Sequence, residues 1–308
     1  MLYSKKDRGD PVVFKENKIM QWISNVVLGL FAVACIVPFV LLVIASFSSE
    51  ESIVRQGYSF FPEQFSLKAY DYLWLHYLEL GRAYGITILI TTIGTAFSLA
   101  MTSMLAYPLS RRDMPLNRSW TFLVFFTMLF NGGLVPTYLV YTQIFDIKNT
   151  LFGLLVPGLL MNGFNILLVR TFFLTSIPPA LIDAASIDGA GEIKIFYRII
   201  LPLSMPIMAT IGLFQAIGYW NDWFNGLIYI TDTKMFGIQT ILTKMVMDIQ
   251  FLTSNSNVAS VNAGAALAEL PSTSVRMAIA AIGVLPILIA YPFFQKYFVK
   301  GITIGAVK

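Results

Sequence analysis

Six apolar stretches alternate with polar segments along this chain, at roughly 21–46, 84–108, 118–140, 150–175, 204–230 and 276–296. An α-helix needs about 20 apolar residues to cross the ~30 Å hydrocarbon core of a bilayer, and each stretch is long enough. The pattern predicts an all-α, polytopic membrane protein with about six transmembrane helices over 21–308, behind a polar tail at 1–20. Two long polar intervals separate the spans, at 47–83 and 231–275. The second is rich in Ser, Asn and Ala, is too mixed to span, and reads by composition as a loop.

Composition agrees with the pattern. The 308 residues are 56% hydrophobic and 12% charged, where a soluble domain carries about a quarter charged residues. The tail, the 109–118 loop, the 170–203 loop and the 296–308 segment hold 14 of the 21 basic residues. The 47–83 interval instead carries Glu50, Glu51, Glu63, Asp71 and Glu79 against Arg55, Lys68 and Arg82. Basic loops stay on the cytoplasmic side, so both termini and these two loops are expected in the cytoplasm, with 47–83 and 231–275 outside. The first apolar run is too long for a signal-peptide core and no small-residue cleavage site follows it, so it is expected to remain as a span.

Little classical chemistry is available. A single Cys35 and a single His76 exclude a disulfide framework and a His-based metal cluster. Neither a metal nor a cofactor is expected on this chain, and nothing in its charge pattern asks for nucleic acid. Asn117-Arg118-Ser119 has the form of a glycosylation site but lies in an expected cytoplasmic loop. Asn131-Gly132-Gly133 with Pro136, Pro157-Gly158 and Pro286 interrupt apolar runs. Such residues commonly serve packing and kinks where neighbouring helices satisfy the freed backbone.

The loop between the fourth and fifth stretches is the most informative segment. Pro178 and Pro179 suit the first turn of a helix, while Gly189 and Gly191 suit its stop, so a helix of about ten residues is expected there. Residues 192–201 should form a second short helix with Ile195, Phe196, Ile199 and Ile200 toward the bundle, before Pro202 redirects the chain. Helix chemistry alone is equally content with an amphipathic surface helix.

The residues say more. Asp183-Ala184-Ala185, three residues, Gly189, nine residues, Ile199, one residue, then Leu201-Pro202 resembles the EAA loop of binding-protein-dependent ABC importer permeases. Asp183 stands where that family usually has Glu. The resemblance extends over nearly the whole chain. Trp220-Asn221-Asp222-Trp223 and the terminal Lys300-Gly301 to Lys308 segment look like the carbohydrate branch, similar to the maltose-type inner-membrane subunits. Phe130-Asn131-Gly132-Gly133-Leu134-Val135-Pro136-Thr137-Tyr138 looks like its oligo- and polysaccharide subgroup.

The resemblance implies a type I importer permease of the bacterial cell membrane, half of a translocation path. Its partners would be a second permease, two cytoplasmic P-loop ATPases and an extracellular solute-binding protein that delivers an oligosaccharide. It implies that Asp183, Ala184, Ala185, Ser186, Ile187, Asp188 and Gly189 dock in an ATPase cleft as a coupling helix. It also implies that 231–275 reaches toward the binding protein and that the last residues touch the ATPases. ATP and magnesium would sit on the ATPase, because this chain has no G-x-x-x-x-G-K-[ST] loop.

Asp222 lies well inside an apolar stretch, and an intramembrane carboxylate marks a candidate functional site. Trp220 and Trp223 offer faces for sugar rings, and Asn221 and Asp222 offer hydrogen bonds to hydroxyls. Capping a helix break or bonding a partner is the plainer use of the same residues. An importer of a non-sugar solute and an ion-coupled secondary transporter are the remaining alternatives. The latter normally shows internal repeats, and none is found here.

Overall fold

The computed structural model describes residues 18–254 and 273–306. Most of the expected tail, positions 255–272 of the second polar interval and the last two residues lie outside that range. Among the described residues, helices account for nearly all regular structure, with one isolated antiparallel bridge between Ser48 and Phe65.

The first apolar stretch forms α1 (Lys18–Ser46), on which only Ala45 and Ser46 are buried. Its apolar side chains, such as Trp22, Leu28 and Phe31, are exposed all around the helix. A helix hydrophobic on every side needs lipid or another chain around it. Two short helices follow, α2 (Glu50–Gln56) and α3 (Lys68–Leu75), and then α4 (Tyr77–Ser110), a 34-residue helix that starts well before the expected span.

The next apolar stretches are not continuous. α5 (Asn117–Leu129) ends at Phe130, and α6 (Leu134–Leu139) runs into a wide π turn at Val140–Ile144. The two halves meet at 111°, so the expected 118–140 span is broken at Asn131-Gly132-Gly133. The 150–175 stretch divides into α7 (Leu151–Leu155) and α8 (Gly163–Ser176). Asn162 starts α8 as its N-cap, accepting the backbone N–H groups of Phe164 at 2.9 Å and Asn165 at 3.2 Å.

After α9 (Pro179–Ile187) come α10 (Glu192–Ile195), a second π turn (Phe196–Ile200) and the single turn α11 (Leu201–Leu203). The chain then bends by 79° into α12 (Met205–Trp220). α13 (Phe224–Tyr229) completes the 204–230 stretch, again after a break, at 221–223. The mixed interval that composition reads as a loop contains a 17-residue helix, α14 (Ile238–Ser254). Its Ile238, Ile241, Leu242 and Met245 pack on Ala83, Val275 and Ile279, so an amphipathic face was hidden among polar residues. α15 (Thr273–Ala306) closes the fold.

Among the described residues, only α1 and α4 are individually long and apolar enough to cross a membrane. Three bent pairs pass the same test of length and composition when taken together, α5 with α6, α8 with α9, and α10–α11 with α12, each a broken span or a re-entrant turn. Backbone polar groups in hydrocarbon must be satisfied internally, so non-helical breaks at membrane depth persist only where protein or a cavity covers them.

At the end near α2, Glu50 ties the start of α15 to the rest. Its carboxylate accepts the N–H groups of Thr273 at 3.0 Å and Ser274 at 3.1 Å, and the Ser274 hydroxyl at 3.3 Å. Burial pushes this carboxyl up, but the hydrogen bonds from Thr273 and Ser274 outweigh it and hold it below its ordinary value. A depressed carboxylate stabilises the fold above its unfolded pKa and loses that contribution as pH falls through the folded one. Glu50→Ala should therefore cost about 1 kcal/mol at neutral pH, as for a lost N-cap. In melting experiments the wild-type advantage should narrow below the ordinary glutamate value of about 4.3 and vanish at lower pH. A pH-independent difference would assign Glu50 a packing role instead.

Candidate functional site

Two places concentrate the polar chemistry, a helical loop at one end of the bundle and a cavity where its helices break. The loop is α9. Ile177 is buried and anchors its entry, and Pro179 opens the helix with φ already set for it. The far end closes as a Schellman motif. The Ala190 N–H donates to the Ala185 carbonyl at 3.0 Å, and the Gly189 N–H to the Ser186 carbonyl at 3.1 Å. Gly189 has φ +79°, the left-handed conformation that side chains resist.

Ile182 and Ala185 turn inward and pack on the core of Val169, Phe173, Ile195 and Ile200. Asp183, Ala184, Ser186, Ile187, Asp188 and Gly189 stay exposed. Of the two alanines expected to dock in the ATPase cleft, Ala184 alone lies outside; Ala185 is half-buried in the chain's own packing. Ile187 is 86% exposed.

A polar latch holds the segment after α9. Glu192, in the first turn of α10, accepts the Tyr107 hydroxyl of α4 through Oε2 and faces Arg111 Nη2 at 3.3 Å through Oε1. Arg111 also pairs with Asp113 at 2.8 Å, and that hydrogen bond holds the Asp113 carboxyl below its ordinary value. Helix C-termini leave unpaired carbonyls, and those of α4 are met from two sides. Asn117 Nδ2 donates to the carbonyls of Leu109 at 2.9 Å and Arg111 at 2.7 Å, while Arg170 Nε donates to Leu109 at 2.8 Å. Asn117, the first residue of the triplet with the form of a glycosylation site, is thus a structural cap.

The second place is a cavity of about 390 Å³ bounded by all three breaks. Gly133 and Gly158 turn the chain there at φ +87° and +73°. Asn131 Oδ1 accepts the Gly133 N–H at 2.8 Å, and Thr137 Oγ1 donates to the Gly133 carbonyl at 2.7 Å. Asp222 Oδ1 accepts the Asn225 N–H at 3.1 Å, capping α13, and Asn225 Nδ2 donates to the Pro157 carbonyl at 2.9 Å. Farther along α12, Tyr219 Oη reaches the Leu155 carbonyl at 2.9 Å and Gln215 Nε2 the Leu159 carbonyl at 3.2 Å. The orphan carbonyls around 155–159 are thereby met by side chains of the fifth apolar stretch.

Of the four residues that sequence singles out there, the cavity receives only Asp222. Trp220 is buried on the other side, its indole N–H on the Gly283 carbonyl at 3.1 Å and its ring beside Tyr84. Asn221 Nδ2 bonds the Ile217 carbonyl at 3.0 Å at the end of α12, and Trp223 sits edge-on against Phe224. Sequence reasoning passed over Asn225 and Tyr229. The spacing of Asp222 three residues before Asn225, directly after an apolar helix, was the available capping signal.

Comparison with known proteins gives the class. Residues 111–304, more than half the chain, match the family described as binding-protein-dependent transport system inner membrane component. The polygalacturonan/rhamnogalacturonan transport system permease protein YtcP of Bacillus subtilis is 34% identical over 95% of this chain and 99% of its own length. Protein LplC of the same organism is 37% identical over 96% of both. A solved structure of a bacterial ABC transporter involved in import of the acidic polysaccharide alginate contains a chain with TM-score 0.76 and 32% identity. That likeness covers 94% of this chain and 100% of that one. This chain belongs to the family of binding-protein-dependent transport system inner membrane components, and its fold is that of an ABC importer permease.

Proposed function

We propose that this chain is one permease half of an ATP-driven oligosaccharide importer and receives the ATPase stroke through α9. The observation that carries the reading is the exposed face of α9, Asp183 to Gly189, set at 78° to α8 on a helix locked at both ends. A solvent-facing Ile187 beside two carboxylates suits a cleft in another protein better than lipid or water. Sugar as cargo draws on the relatives, whose names speak of polygalacturonan, rhamnogalacturonan and alginate.

The geometry offers a route for the stroke. A push on α9 bears on the core of Val169, Phe173, Ile195 and Ile200, and through Glu192 on Tyr107 and Arg111 of the α4 end. Ile207 and Ile211 of α12 belong to the same core, and the far end of α12, about 20 Å beyond Ile207 at 1.5 Å per residue, leads to Asp222. Displacement at the loop thus reaches the cavity through one helix.

In this reading the ATPases hold ATP and magnesium, and this chain does not hydrolyse it. A second permease completes the path as a heterodimer and covers part of α1. Both termini and the 109–118 and 170–203 loops face the cytoplasm.

The test is gentle purification of the tagged chain followed by reconstitution in liposomes. A second permease and a P-loop ATPase should co-purify, and uptake should require both ATP and a sugar-loaded binding protein. Uptake by the chain alone without ATP would overturn the proposal, and uptake driven only by a non-sugar-binding protein would overturn its cargo.

A further inference from the structure

The structure assigns a headgroup site for phosphatidylethanolamine, a zwitterionic lipid with a primary ammonium, to a groove beside the polar latch at the α9 end of the bundle. The groove has a volume of about 590 Å³ and lies between the end of α4, the turn at 111–115 and α10 with its π turn. The inference goes beyond the importer reading and depends on neither the cargo nor the ATPase.

The apolar wall sets the depth of the site. Met104 of α4 lies inside the apolar stretch 84–108 and is 57% exposed. From it the wall continues through Pro108, Met114, Ile193 and Tyr197. Ile193 is 76% exposed, although Ile195, Phe196 and Ile200 beside it are buried in the core. This segment therefore spends one apolar face on the chain itself and offers a second outward. α4 is long and apolar enough to cross a membrane, and Met104 stands about 10 Å along it from Arg111 at 1.5 Å per residue. The groove thus leads from hydrocarbon depth to a charged turn. Tyr197, with an apolar ring and a polar tip, suits that boundary.

Charge selects the headgroup. At the polar end Arg111 stands between Asp113 at 2.8 Å and Glu192 at 3.3 Å. The Arg111 side chain is 18% exposed, against 69% for Asp113 and 59% for Glu192. One cation against two carboxylates leaves a net negative charge, and the carboxylates carry it on the open side. An ammonium brings three N–H donors and no acceptor, which suits exposed carboxylate oxygens.

Lys194 and Arg198, both exposed, line an adjoining groove that shares Glu192, Ile193 and Tyr197. A lipid phosphate finds its cations there. Carboxylates, an apolar ridge and then cations match the ammonium, chains and phosphate of one zwitterionic lipid. An anionic lipid has no ammonium for Asp113 and Glu192, and phosphatidylcholine has the charge without an N–H to donate.

The experiment places the assembled complex in bilayer discs of mixed phospholipid containing a trace of photoreactive lipid. The probe carries its reactive group in the acyl chain and has either an ethanolamine or a choline head, and adducts are mapped by peptide mass spectrometry. The ethanolamine probe should label peptides containing Met104, Met114 or Ile193 about threefold more than the choline probe, the worth of one exposed ion pair. Both probes should label the exposed α1 alike. Asp113→Asn leaves Arg111 balanced by Glu192 alone, so the ethanolamine excess should vanish.

Equal labelling of the wild-type groove by the two probes would reduce the site to ordinary boundary lipid and overturn the assignment. Labelling of α1 without labelling of the groove would put a protein partner there and overturn it as well. An undiminished ethanolamine excess in assembled Asp113→Asn would overturn the ammonium contact on which the assignment rests. The wild-type comparison decides alone if that variant fails to assemble.

Discussion

A Gly189→Val chain is expected to insert and assemble with its permease partner yet lose most ATP-driven uptake. The left-handed backbone at Gly189 costs an ordinary side chain about 1–2 kcal/mol and a β-branched one more. A Cβ built there meets nothing within 4 Å, so the substitution makes no clash inside the chain. Its two effects are separable, unwinding of the Schellman turn and bulk on the exposed face that the ATPase would receive. Gly189→Asn discriminates, because Asn tolerates the left-handed region but still adds a side chain. Loss in both variants indicts the docking surface; loss in Gly189→Val alone indicts the turn. Wild-type uptake and ATPase stimulation by Gly189→Val would remove α9 from the coupling path.

The second large effect concerns the fold. Gly94 lies in α4 directly beneath the Tyr219 ring, and a Cβ there would stand 2.7 Å from Tyr219 Cε1. Tyr219 is 2% exposed and its hydroxyl holds the Leu155 carbonyl at 2.9 Å. Gly94→Ala must therefore shift a buried ring or part α4 from α12. Overpacking of this kind costs about 1–3 kcal/mol, and losing the Tyr219 bond adds roughly 0.5–1.5 kcal/mol. Reduced yield of assembled complex and a lower melting temperature are the expected readouts. Tyr219→Ala combined with Gly94→Ala should cost less than the sum of the two single changes. Additive losses would show that the ring and the glycine are not in competition.

How far these features were legible in the sequence differs by element. Residues 178–189 could be read almost to the residue, because prolines at the start and a glycine at the stop act locally. Ile195, Phe196 and Ile200 are buried on the face their spacing assigns to the bundle. The break at 221–223 was legible as one alternative through its capping residues, but those at 131–133 and 156–162 were not legible as breaks. An apolar run has the same composition whether it is continuous or divided, and here the partners of the freed carbonyls are remote: Asn225 serves Pro157 and Gln215 serves Leu159.

The same remoteness separates the residues of the 220–223 cluster. Trp220 and Asp222 are two residues apart, and the end of α12 between them sends one to Gly283 and the other to the cavity. α14 was missed for another reason. Its apolar positions are diluted by Gln, Thr, Lys and Asp over a surface helix, where a run-length criterion for spans registers nothing.

The π turn at Phe196–Ile200 makes chain length locally negotiable. Its closing bond runs from the Leu201 N–H to the Phe196 carbonyl, five residues back instead of four. One residue there is surplus to an α-helical count, so a deletion at the exposed Tyr197 would restore ordinary winding and keep the segments on either side in phase. The same deletion inside α12 would rotate everything beyond it by about 100° and carry Asp222 off the cavity. Length variation among descendants of this gene should accumulate at the wide turn and be purged from the helix that follows it.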